Sequence, residues 1–177
     1  LLAKCGKRKS MVQIGNQKTT ADSLPNQDKY NAFLSGQVDS KKGISGLKLG
    51  DSKEKMFQIL GLNKTYKSLK DRDIYYYGPN TTEIVITLAP PNTGVIRRIE
   101  VNYRFRGQTT GGAKIGDSRE KVKSSYPGAL ATDSALFSVY CDGTTFFFSN
   151  DRLKSISLVE LDFDAFKTAR IKKCKAQ

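Results

Sequence analysis

The run from Gly46 to Met56, Gly-Leu-Lys-Leu-Gly-Asp-Ser-Lys-Glu-Lys-Met, returns from Gly112 to Val122 as Gly-Ala-Lys-Ile-Gly-Asp-Ser-Arg-Glu-Lys-Val. A chain that repeats itself this closely reads as two copies of one local unit, which limits its architecture before any other feature is considered. Each copy carries the signals of a helix start: Asp51 and Asp117 stand as N-caps, with Glu54 and Glu120 three residues on. Met56, Ile59 and Leu60 give the first helix an apolar stripe, and Gly61 ends it. Val122 and Tyr126 mark the second, which Pro127-Gly128 ends.

Three apolar or aromatic runs follow each helix, and the turn residues between them predict antiparallel hairpins. In the first copy the runs are Ile74 to Tyr77, Thr82 to Leu88 and Val95 to Phe105, split by Gly78-Pro79-Asn80 and by Pro90-Pro91-Asn92-Thr93-Gly94. In the second they are Leu136 to Cys141, Thr144 to Ser149 and Leu153 to Leu161, with Asp142-Gly143 as a two-residue hairpin turn and Asn150-Asp151 as the next. Thr81-Thr82 aligns with Thr144-Thr145, and Ile96, Ile99 and Val101 align with Leu153, Ile156 and Leu158. The run ending at Phe105 alternates: Ile99, Val101, Tyr103 and Phe105 fall on one face, and Arg98, Glu100, Asn102, Arg104 and Arg106 on the other. One face of the sheet is therefore expected to be wet.

The fold class expected is α+β, a tandem repeat of a helix plus a three-stranded antiparallel sheet. Residues 1–22 read as a flexible tether, 23–43 as a short N-terminal helix and linker, 44–106 as the first module, 107–163 as the second, and 164–177 as a basic tail. The short helix starts around Ser23-Leu24-Pro25, carries Tyr30, Phe33 and Leu34 on one stripe, and closes at Gly36. Residues 37 to 45 read as a polar linker.

Composition narrows the chemistry. There is no histidine, which removes the commonest general base near neutral pH, the commonest metal ligand and every Ser-His or Cys-His pair. The three cysteines have no zinc spacing. No catalytic residue, metal or cofactor is expected, and the chain reads as a non-enzyme. Its 30 Lys and Arg against 17 Asp and Glu give a formal charge of +13, suited to anionic lipid or wall polymer. No RNP signature, zinc finger or helix-turn-helix accompanies that charge, which argues against nucleic acid. Gly46, Gly50, Gly112 and Gly116 precede helix starts, but Gly50 is followed by Asp51, whose carboxylate would repel a phosphate, so these glycines read as structural.

The pattern G-x-x-x-G-D-S-x-E-K followed by three antiparallel strands resembles the module of the SmpA/OmlA (BamE-like) lipoproteins and, in tandem, the β-lactamase inhibitor protein fold. The resemblance covers roughly residues 44 to 162. It departs in having no Trp, where BamE-like sheets are Trp-rich, and no inhibitor-type contact loop is recognised. What it implies is a fold and a protein-binding style without a named partner. Leu2-Ala3-Lys4-Cys5 resembles the end of a bacterial lipoprotein signal, departing at Lys4 where Gly, Ala or Ser is usual. That likeness implies a lipid on Cys5 and an extracytoplasmic, membrane-anchored protein. If Cys141 and Cys174 pair, Cys5 is the one left over for the lipid; the alternative is three unrelated thiols.

Tyr75-Tyr76-Tyr77 and Phe146-Phe147-Phe148 are aromatic runs in which neighbours must point to opposite faces. Tyr and Arg together on an exposed sheet are the composition of a protein-binding hot spot. Tyr75, Tyr77, Arg98, Arg104 and Arg106 are accordingly expected to meet a protein partner in the cell envelope. The alternatives are an inhibitor of a secreted enzyme, and attachment to anionic lipid or wall polymer through the basic surface.

Overall fold

A computed structural model of the chain describes residues 24–61, 65–78, 83–92, 94–127, 130–133 and 136–160. The tether, the Ser23 cap, most of the first hairpin turn and the basic tail lie outside them. The fold class is α+β: the described residues form three helices and two antiparallel sheets.

Helix α1 (Leu24–Leu34) puts Tyr30, Phe33 and Leu34 into the core, the stripe that its spacing predicts. The segment after it is not the simple polar linker expected. Strands β1 (Val38–Asp39) and β2 (Gly43–Ile44) form a two-stranded ribbon that buries Val38 and Ile44, so two apolar residues in a polar stretch are enough to pin it. Helices α2 (Lys53–Leu60) and α3 (Arg119–Ser125) follow the two glycine-rich runs. Their caps are Ser52 and Ser118, one residue later than expected, each hydroxyl accepting the amide N–H of Lys55 or Lys121 at 3.3 Å. Asp51 and Asp117 do other work. Each carboxylate accepts from the backbone three residues back, at Lys48 or Lys114, and takes the ammonium of Lys55 or Lys121 four residues on.

Four strands, rather than three, follow each helix. They are β3 (Thr65–Ser68), β4 (Asp73–Tyr77), β5 (Ile84–Ala89) and β6 (Val95–Val101), then β7 (Leu130–Asp133), β8 (Phe137–Tyr140), β9 (Thr144–Ser149) and β10 (Arg152–Val159). All eight join one antiparallel sheet in the order β3-β4-β5-β6-β10-β9-β8-β7. The second half of that order is the first half reversed. The seam is the β6–β10 pairing, where Ile99 faces Leu158 and Val101 faces Ile156.

Details correspond across the seam. Gly50 and Ile96 exchange backbone bonds through Gly50 N–H to Ile96 O and Ile96 N–H to Asp51 O; Gly116, Leu153 and Asp117 repeat the arrangement. A bulge leaves Arg97 unpaired opposite β5 and Lys154 unpaired opposite β9. Tyr77 donates its hydroxyl to Gly61 O at the end of α2, and Tyr140 donates to Tyr126 O at the end of α3. The register pairs Ile86 with Ile99 and Phe146 with Ile156, so Thr144 corresponds to Ile84 and the expected match of Thr81-Thr82 to Thr144-Thr145 is three residues out.

The core lies between the helices and one face of the large sheet. Met56 and Leu60 of α2 and Val122 of α3 are buried with Ile84, Ile86, Ile96, Ile99, Val101, Phe146, Phe148, Ile156 and Leu158. Burying a side chain of this size contributes about 1.5–3 kcal/mol each, which is why the sheet is committed to this face.

Candidate functional site

Strand parity decides which side chains reach the other face. Register carries Tyr76, Val85, Glu100, Ser157 and Thr145 across the sheet in one row, and Ile74, Thr87, Arg98 and Val159 in the next. This row structure is the face opposite α2 and α3, and among the described residues no helix packs on it; Thr87, Ser157 and Val159 are nevertheless buried, so the side chains it offers to solvent include the half-buried Tyr76, Val85, Arg98 and Glu100. Arg72, Ile74, Tyr76, Val85, Thr87, Arg98, Glu100 and Val159 line a shallow concavity of about 160 Å3 there.

Arg98 sits at its centre. Its guanidinium is paired with the Glu100 carboxylate and reaches Ser157 Oγ at 3.5 Å. Its Nε is nevertheless buried without a hydrogen-bond partner, as is Thr145 Oγ1 on the neighbouring row. Orphaned polar atoms of this kind cost about 1–3 kcal/mol each.

The other residues expected at a partner surface are placed differently. Tyr75 and Tyr77 are only 2% and 6% exposed, so they cannot touch a partner as expected. They point to the helix side, where Tyr75 lies edge-on to Phe57 at 5.8 Å and Tyr77 caps α2. Burial holds the Tyr77 hydroxyl above its ordinary pKa. The open-face member of the triplet is Tyr76, and the parity that excludes its neighbours is the signal that finds it.

Arg104 is tied down. Its Nε lies 3.1 Å from the carboxylate of Glu83, which is fully buried and also accepts the hydroxyls of Tyr30 and Tyr103. Burial, then the bond to Glu83, raises the Tyr30 pKa well above its usual value. β6 ends at Val101, so the expected alternation stops there. Phe105 turns back into the core through its N–H to Asn102 O, whereas Tyr103 is half exposed. Arg106 is exposed near the end of α1, away from the open face.

Cys141, in the β8–β9 turn, is disulfide-bonded. Cys5 and Cys174 lie outside the described residues. No group of three or more His, Cys, Asp or Glu among the described residues is placed to hold a metal, and no described helix is long and apolar enough to cross a membrane. No protein-family model, no curated protein and no solved structure matches the chain.

Proposed function

We propose that the protein is a non-catalytic binding module that presents the open face of its eight-stranded sheet to a protein partner in the bacterial envelope. The observation that carries this reading is the concavity that Tyr76, Arg72, Arg98 and Glu100 line on a face that no described helix covers. The anchors are Tyr76 and Arg98, with Arg72 and Glu100 beside them. Tyr and Arg are residues that dominate such interfaces because they combine a large contact area with directed hydrogen bonds. The absence of histidine supports a binding role over a catalytic one.

The finer architecture belongs to the same proposal. The mirrored strand order, the shared bulges and the matching cap and carboxylate contacts support a tandem repeat of one helix-plus-sheet module, in the style of the BamE-like and β-lactamase inhibitor folds. We assign Cys174 as the partner of Cys141 and a lipid to Cys5. A disulfide at Cys141 supports an oxidising, extracytoplasmic location.

Capture from envelope extracts tests the binding role. Wild-type protein should retain a discrete partner that Tyr76→Ala/Arg98→Glu loses, while Lys41→Glu/Lys42→Glu, on the exposed β1–β2 turn, retains it. Loss in both variants alike, at matched thermal stability, would favour a general attraction of the +13 chain for anionic polymer or lipid.

A further inference from the structure

A second concavity, of about 400 Å3, lies where the end of α1 meets the connection between the two halves of the chain. Ser35, Gly36, Gln37, Arg106, Gly107, Gln108 and Lys114 line it. Its floor is glycine by necessity: a Cβ on Gly107 would fall 1.7 Å from Gly36 O, so the two segments can close on each other only without side chains there. Backbone bonds hold the walls, from Arg106 N–H to Leu34 O at 2.8 Å and from Val38 N–H to Gln108 O at 2.9 Å.

Among the described residues the lining has one sign of charge: Arg106 and Lys114 contribute two cations, and no described carboxylate lines the groove. Neither cation is paired with a carboxylate among the described residues. The acidic residues nearest in sequence are occupied elsewhere: Asp39 accepts the amides of Lys41 and Lys42, and Asp117 accepts the Lys114 amide and the Lys121 ammonium. The amides of Gln37 and Gln108, one on each wall, have no acceptor among the described residues. Two cations and two amides without acceptors around the hollow are the donor set for a tetrahedral oxyanion, whereas the Ser35 hydroxyl already donates to Asn31 O. The volume is within the range of small-molecule sites and suits one phosphate ester with its alcohol.

We propose that this groove binds a phosphate ester, with Arg106 and Lys114 holding the phosphoryl oxygens and the Gln37 and Gln108 amides completing the cradle. The site is separate from the sheet face and does not rest on the protein-binding reading, but the sources considered for its ligand rest on the envelope location proposed above. A phosphate ester in the envelope can belong to a wall polymer or to a lipid headgroup, and the chemistry of recognition is shared.

The test is an amide-resolved NMR titration with glycerol 3-phosphate. Saturable shifts confined to residues 35–37, 106–108 and 114 are expected, weakened at least about tenfold in Arg106→Gln/Lys114→Gln, since each charge-assisted bond lost is worth that much or more. Arg98→Gln, on the other face, should leave the titration unchanged. Sedimentation with phosphatidylglycerol vesicles separates the sources. Vesicle binding lost in the same double variant identifies the lipid headgroup, and saturation by the soluble ester without such vesicle binding identifies the polymer. Shifts spread over all surface lysines, unsaturated and equal in wild type and the folded double variant, would overturn the proposal.

Discussion

Asp117 is held between opposed influences. Partial burial pushes its carboxyl pKa up, while the Lys121 ammonium, the Lys114 amide and the charges of both lysines together hold it below the usual value. A carboxyl depressed on folding contributes stability that is present above its unfolded pKa and lost as pH falls through the folded one. Asp117→Asn is therefore expected to unfold at lower urea than wild type at pH 7, and the two midpoints should converge well below pH about 3.9, the unfolded value. Gly116, one residue earlier, has φ 93°, and a Cβ there would meet nothing. Gly116→Ala should thus cost about 1–2 kcal/mol through backbone conformation alone, read from the shift in denaturation midpoint. The glycine and the aspartate are both legible in the repeated run, but the run points to caps at Asp51 and Asp117 where the structure has them at Ser52 and Ser118. Asp and Ser are near-equal caps, so sequence alone does not separate two adjacent candidates.

At the scale of elements, legibility followed contrast between polar and apolar neighbours. The hairpins β5–β6 and β9–β10 were readable because apolar runs meet strong turn residues. Strand β3 was missed because all four of its residues, Thr65 to Ser68, are exposed, which leaves no alternation to detect. It exists through backbone pairing with β4 at the sheet edge, where Lys67 also discourages further pairing. In β4 the sequence Ile74-Tyr75-Tyr76-Tyr77 offers no contrast either, so the choice between Tyr76 and its neighbours waited on register. The seam is the element whose loss should matter most. Leu158 is 1% exposed against Ile99, and Leu158→Ala is expected to cost about 2–5 kcal/mol by equilibrium unfolding, with the amides of β5 and β9 losing protection together.

Across the whole molecule, one continuous sheet ties the two halves into a single core. Calorimetry should show one transition with matching calorimetric and van't Hoff enthalpies, and two resolved peaks would mean that the halves unfold independently. The same continuity gives the protein two unlike sides. The helix side is filled by aliphatic and aromatic residues, and the opposite side carries Tyr76, Arg98 and Glu100. The repeat made the two halves visible in sequence, and the alternation of Ile99 and Val101 with Arg98 and Glu100 marked the two sides of β6, whereas the uniform Ile74-Tyr75-Tyr76-Tyr77 run left the sides of β4 unmarked. The most direct measurement is photo-cross-linking on intact cells that express the protein, with the reactive side chain placed at position 76 on the sheet face opposite the helices or at Gln58, exposed on α2. A discrete protein adduct from position 76 and none from position 58 is the expected result. An adduct from position 58 alone, or the same adducts from both, would contradict binding through the open face.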